Sequence, residues 1–229
     1  MSASSDTTPE TLPIAMSDGL ELGTYVVGPE DATAAIVVIQ EIFGVNSHIR
    51  SVADGYALAG YRVYAPQLFD RVEPGIELSY DETGMSTGIS LAFEQLKMPQ
   101  TLEDLQRVIS HAGRNGKVGV VGFCFGGLLT WLAARDLTGV AAASAYYGGG
   151  VPAQSNAPAQ CPTILHFGDA DTHIPTQDVE RFRQERPETT VYRYPADHGF
   201  NCDQRSAFDA ECAKLAHART LEFFSKNLR

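Results

Sequence analysis

The sequence predicts an α/β fold, a single three-layer domain with a mainly parallel central sheet flanked by helices. Two observations carry this expectation. Short β-branched runs recur along the chain, and segments of helical period separate them. The run 35–39, Ala-Ile-Val-Val-Ile, is continuous and apolar, as expected of a strand buried on both faces. Ile49, Val52, Ala53, Tyr56 and Ala57 follow at helical spacing and end at Gly60. A second strand is predicted over 62–65, stopped by Pro66. Thr101 with Asp104 reads as a capping pair for a helix presenting Leu102, Leu105, Val108 and Ile109 on one face. Further strands are predicted over 118–121, 140–145, 163–167 and 190–194, with helices over 125–135, 177–186 and 208–224. Strand and helix alternating this often place the sheet in the middle layer and functional sites at the carboxyl ends of its strands.

Composition narrows the partners. The chain has 229 residues, 17 basic against 28 acidic, for a formal net charge of −11. Nucleic acids and anionic membranes both require a positive surface, so neither is expected as a partner. The four cysteines have no Cys-x-x-Cys spacing and are too few for a disulfide framework, which points to reduced thiols. Residues 1–13 lack the basic and apolar segments of a signal peptide, and the longest apolar run, 34–39, is too short to span a bilayer. A cytoplasmic monomer is therefore expected. Within the one domain, 1–12 reads as a flexible tail. Residues 67–98 read as a lid-like insertion, because Pro74, Gly75, Gly84 and Gly88 interrupt their periodicity, with helix expected only near 91–96.

Between the strand 118–121 and the helix 125–135 lies Gly122-Phe123-Cys124-Phe125-Gly126-Gly127. This is the strand–turn–helix elbow of Gly-x-Ser-x-Gly hydrolases with sulfur in place of oxygen. The tip residue is held in a strained conformation, and the residues two before and two after must be nearly free of side chain to avoid it. The following helix directs its positive end at the thiol and favours thiolate. A lone cysteine is more often a buried structural thiol, which is the reading given to Cys161, Cys202 and Cys212. Strand, spacing and helix coincide only at Cys124.

Hydrolases with this elbow carry their acid and histidine later in the chain, in that order. After the elbow, one predicted strand runs into Asp169-Ala170-Asp171-Thr172-His173 and the next into Asp197-His198-Gly199-Phe200. His198 is the expected base, with Asp171 fixing its tautomer. Asp169 is the rival acid and is disfavoured because it lies closer to the strand end. His173 is the rival base, disfavoured because it belongs to the acid loop. Chelation of a metal by Asp169, Asp171 and His173 would need a distant further donor, and no metal or other cofactor is expected. His48, His111, His166 and His217 read as packing or surface residues.

With these motifs in order, the sequence resembles the dienelactone hydrolase family of the α/β-hydrolase fold. The resemblance runs from about Val37 to the carboxyl end. It rests on Gln40-Glu41-Ile42-Phe43-Gly44, the elbow 122–127, Tyr146-Tyr147-Gly148, Asp171 and His198-Gly199-Phe200. It implies that Glu41 lies against the cysteine and helps generate the thiolate; a carboxylate enclosed beside a thiol can accept its proton. Read by itself, Glu41 could equally be a loop or helix cap. The resemblance further implies oxyanion donors at the amides of Ile42 and Phe125, and substrate contacts at Phe43 and Tyr147. Members that cleave dienelactone hold its carboxylate with arginines, one of them in the lid. Here 72–96 contains no Lys or Arg, while Glu73, Glu77, Asp81, Glu82 and Glu94 are acidic, leaving Arg71 and Arg205 as candidates.

The expected function is cleavage of an ester or lactone through a Cys–His–Asp triad and a thioester intermediate. The first alternative is a general carboxylesterase or thioesterase for neutral acyl substrates. The second, of another class, is a thiol redox sensor or binding protein on the same scaffold.

Overall fold

The computed structural model describes residues 8–229, so the first seven residues of the expected tail lie outside it. Its centre is one eight-stranded sheet. In chain order the strands are β1 (Glu10–Ala15), β2 (Glu21–Val27), β3 (Ala34–Ile39), β4 (Arg62–Pro66), β5 (Lys117–Phe123), β6 (Val140–Tyr146), β7 (Thr163–Gly168) and β8 (Thr190–Tyr194). They lie side by side as β1-β2-β4-β3-β5-β6-β7-β8. β3 to β8 are mutually parallel, while β2 pairs antiparallel with both β1 and β4. This is the α/β-hydrolase fold.

Six α-helices complete the layers: α1 (Ser47–Leu58), α2 (Glu82–Ser90), α3 (Met98–Ala112), α4 (Phe125–Asp136), α5 (Thr176–Glu185) and α6 (Ala210–Leu228). The alternation of side chains along β3 divides the core. Ile36 and Val38 join Ile49, Ala53 and Tyr56 of α1 and Ala216 and Phe224 of α6. Ala35, Val37 and Ile39 face the other way, onto Leu105, Val108 and Ile109 of α3 and Leu129 of α4. Burial on both faces is why this strand reads as an unbroken apolar run.

The segments predicted as strands and helices from β3 onward form within a few residues of their expected bounds. Three expectations need correction. Residues 10–12 are not tail; they pair with β2 as part of β1. Thr101 and Asp104 do not cap α3. That helix starts at Met98, with Pro99 in its first turn, where a fixed φ and a missing N–H are tolerated. Thr101 Oγ1 instead donates to the Lys97 carbonyl at 3.2 Å, and Asp104 is buried against Arg71. In the segment 67–98 the helix comes earlier than expected. A 3-10 turn covers Leu68–Arg71, α2 is capped by Asp81 Oδ1 accepting from the Gly84 amide at 2.7 Å, and a π-helical turn, Leu91–Gln95, follows.

Trp131 joins the layers on one side of the sheet. It is fully buried, lies edge-on to Phe182 of α5 at 5.0 Å, and donates from Nε1 to the Gln154 carbonyl at 3.1 Å. Trp131→Ala should cost about 3–5 kcal/mol in urea unfolding; a loss below about 1 kcal/mol would show that this contact is dispensable.

Candidate active site

β5 ends where Cys124 turns the chain, with φ 55° and ψ −113°. A non-glycine residue at positive φ is strained by about 1–3 kcal/mol and persists only where its surroundings enforce it. Here the Cys124 amide donates to the Tyr146 carbonyl at 3.0 Å, and α4 begins at the next residue. A Cβ at Gly122 would collide with the Gly126 carbonyl, and one at Gly126 with the carbonyls of Ile39 and Gln40. The spacing of the elbow is therefore a steric requirement. Cys124 is half-buried at the amino end of α4, where the helix dipole favours negative charge on sulfur.

Parallel register brings the other loops to the same edge. Ile39 pairs with Gly122, so Glu41 and Ile42 leave β3 beside the elbow. Gly168 pairs with Tyr194, and the pairing continues beyond the strands through Asp169 N–H to Tyr194 O at 2.7 Å and Ala170 N–H to Ala196 O at 3.0 Å. The acid loop and the histidine loop therefore travel together. Buried Asp171 accepts His198 Nδ1 on Oδ2 at 2.8 Å and the His173 amide on Oδ1 at 2.8 Å. The rival acid Asp169 is exposed and holds Arg193 Nε at 2.6 Å. The rival base His173 is also exposed, its ring 5.3 Å from that of His198.

Burial by itself would lower the proton affinity of His198. The hydrogen bonds with Asp171 and the Cys124 sulfur, and the negative charge of both, outweigh it and push the imidazole up to about 10. Burial likewise opposes ionisation of Asp171, but the hydrogen bond and charge of His198 and the His173 amide hold its carboxyl below the usual carboxylate range. The pair is thus built as imidazolium and carboxylate, with Nδ1–H on Asp171.

Glu41 is fully buried, and its two oxygens receive two phenols: Tyr147 at 3.4 Å on Oε1 and Tyr80 at 3.2 Å on Oε2. Burial, and then the charge of Glu41, push both phenols well above the ordinary tyrosine range, so both stay protonated donors. The fully buried Tyr147 ring is packed against Phe123, Tyr146 and Phe200. Tyr147 has φ 35°, and its ring lies 5.2 Å from His198. Cys202 is buried; its thiol is pushed up to about 11 by burial and by Glu41, which disfavours thiolate.

Phe43 packs at a tilt against Tyr80, ring centres 4.4 Å apart, and the Arg205 guanidinium lies 5.8 Å over the Phe43 ring. Arg205 also bears on Tyr147 and Cys202 with its positive charge. Arg71 is engaged elsewhere: its guanidinium grips buried Asp104, with Nη2 at 2.6 Å from Oδ1, and pairs with Asp18. The structure therefore gathers Cys124, His198, Asp171, Glu41, Ile42, Phe43, Phe125, Tyr147 and Arg205 around one strand edge and leaves Arg71 tied to α3. Tyr80 escaped the sequence reading. It is the one tyrosine of 67–98, in a stretch whose glycines hide its helix.

The remaining histidines behave as packing groups. His166 stacks on Tyr146 at 4.3 Å, and burial lowers it to about 3, so it is neutral. Among the described residues, one group of donors, His48, Cys202 and Asp203, lies within 4.8 Å of one another; it includes none of Cys124, His198 and Asp171. No described helix is long and apolar enough to cross a membrane.

A cysteine elbow followed by an acid and a histidine at successive strand ends defines a hydrolase of the α/β class. The family model described as "Dienelactone hydrolase family" matches residues 22–228, and the chain belongs to that family. It is 36% identical to a Synechocystis protein named "Putative carboxymethylenebutenolidase", over 97% of this chain and 98% of that one. It is 31% identical to the carboxymethylenebutenolidase of Pseudomonas putida, over 94% and 96% of the two chains. A solved Klebsiella pneumoniae structure described as a "Putative Dienelactone Hydrolase" superposes with a TM-score of 0.82 at 30% identity, covering 96% of this chain and 98% of that one.

The His198 pair has a measurable consequence. Its proton affinity in the folded chain is raised above the unfolded value of 6.5. The resulting stabilisation is complete below pH 6.5 and is lost as pH rises toward 10. Urea unfolding of wild type and His198→Gln across this range should show the wild-type advantage shrinking with rising pH; an advantage that grows would contradict the pairing.

Proposed function

We propose that the protein hydrolyses an ester or lactone through a thioester on Cys124, with His198 and Asp171 completing the triad. The single observation that carries this reading is the 2.8 Å hydrogen bond from His198 Nδ1 to buried Asp171, made by an imidazole whose proton affinity Cys124 also raises. The thiolate attacks the carbonyl carbon, and the carbonyl π electrons move to oxygen. The Phe125 amide, at the first position of α4, has no acceptor within its helix. It and the Ile42 amide stabilise the oxyanion, each contributing on the order of 3 kcal/mol to lowering the barrier. Collapse expels the alkoxide, which takes a proton from His198, and leaves the acyl group on sulfur. His198 then removes a proton from water, whose oxygen displaces the thiolate and releases the acid.

Glu41 is the second proton acceptor in this reading. Its carboxylate is enclosed and answered by two phenols rather than by a cation, so it can take the thiol proton when substrate displaces Tyr80 or Tyr147 and return it to the Cys124 thiolate when the acid is released. The triad is tested with a small aryl ester. Cys124→Ala and His198→Ala should each lower kcat at least about 10³-fold, and Asp171→Asn at least about 10²-fold, whereas Asp169→Asn should stay within about threefold. Wild-type activity in Cys124→Ala would end the proposal.

A neutral substrate is favoured over a carboxylate-bearing one. Residues 72–96 supply no Lys or Arg, Arg71 is bound to two aspartates, and a buried carboxylate needs paired positive charge. In a direct comparison, a neutral ester should be turned over with higher kcat/KM than a carboxylate-bearing enol-lactone of similar size. The reverse order would assign Arg205 to the carboxylate.

A further inference from the structure

The helical part of the segment 67–98 lies against both residues whose amides are read as oxyanion donors. A Cβ at Gly88 would collide with the Ile42 carbonyl oxygen, so the backbone of α2 rests directly on that turn. Five residues on, Phe93 in the π-helical turn meets Phe125 edge to face at 5.5 Å. Phe125 is buried, whereas Phe93 is 57% exposed and Ile89, one turn earlier, is 44% exposed. Beside this ring pair opens a cleft of about 270 Å³ whose apolar walls are Ala92, Phe93, Leu96, Met98, Pro99 and Phe125, with Glu94, Lys97 and Thr101 also lining it. Exposed aromatic and branched apolar side chains over an apolar cleft mark a binding surface more often than a solvated one.

We infer that this cleft is the acyl-chain subsite of the enzyme, taking an unbranched apolar chain between Phe93 and the π-helical turn. The inference rests on the ester-hydrolase reading above and specifies its substrate class. The placement follows from the directions at the carbonyl carbon. Sulfur bonds on one side, the oxygen points to the amides of Ile42 and Phe125, and the leaving oxygen must face His198, which protonates it. The acyl chain takes the remaining direction, along the two donor residues on which Gly88 and Phe93 rest. An uncharged chain also fits a lining whose two charged side chains, Glu94 and Lys97, are of opposite sign.

The test is a chain-length series of p-nitrophenyl esters, acetate, butyrate and hexanoate, with kcat and KM measured for wild type, Phe93→Ala and Phe93→Leu. Each methylene entering an apolar site contributes up to about fourfold. Wild-type kcat/KM should therefore rise roughly tenfold from acetate to butyrate, chiefly through KM. Phe93→Ala should lose most of that gain, read as the butyrate-to-acetate and hexanoate-to-acetate ratios of kcat/KM, and Phe93→Leu should recover it in part. A merely structural Phe93 would shift all three esters together, and equal chain-length ratios in wild type and Phe93→Ala would overturn the subsite. A flat wild-type profile would overturn it as well, leaving the hydrolase reading intact. A folded wild-type protein that cleaves none of the three esters would remove both.

Discussion

The bend at Cys124 is the constraint on which the site depends. A non-glycine residue at φ 55° holds the sulfur clear of β5 and starts α4 within one residue, so the proposed nucleophile and one proposed amide donor arise from the same turn. The bend requires bare backbone at Gly122 and Gly126, because the carbonyls of Ile39, Gln40 and Gly126 occupy the space their side chains would need. Those contacts in turn fix β3 against the elbow, and with β3 the Glu41–Ile42 turn. One strained residue thus sets the positions of the proposed nucleophile and both proposed oxyanion donors.

The charges around it are arranged in two different ways. Asp171 and His198 neutralise one another across a short hydrogen bond, and each raises the other's tendency to be charged. Glu41 is equally buried but is met by the hydroxyls of Tyr80 and Tyr147, which donate without neutralising. A carboxylate solvated by phenols is less settled than one beside an imidazolium. That difference suits the roles proposed here: the Asp171 pair is a fixed orienting device, whereas Glu41 is poised to accept a proton when its partners are displaced. The same field works on Cys202, whose thiol is pushed up by burial and by Glu41.

Much of this was legible in the sequence because it is local. The apolar run of β3, the Gly-x-Cys-x-Gly spacing and the strand-end positions of Asp171 and His198 are each signalled within a few residues. The choice of Asp171 over Asp169 rested on distance from the strand end; in the structure Asp171 accepts from His198, while Asp169 faces Arg193. What was not legible depends on distant partners. β1 and β2 carry Pro13 and Gly23 and alternate weakly, and their strand character comes from pairing with each other and with β4. α2 was hidden because Gly84 and Gly88 depress helix propensity; both are bare where the chain presses on Ser79 and Ile42. Arg71 read as a cation free for substrate, yet Asp18 and Asp104, far away in sequence, hold it. Tyr80 joined the site only because its segment folds back beside Phe43 through the Leu78 amide on the Phe43 carbonyl at 2.9 Å.

The chemistry turns on whether sulfur carries the acyl group between the two halves of the reaction. The most direct measurement is mass spectrometry of enzyme acid-quenched during turnover of a slowly hydrolysed ester. The expected result is one acyl group per chain on the peptide containing Cys124, released by hydroxylamine as a thioester should be. An enzyme that turns over fully while this peptide stays unmodified, or one acylated at another side chain, would contradict a cysteine nucleophile.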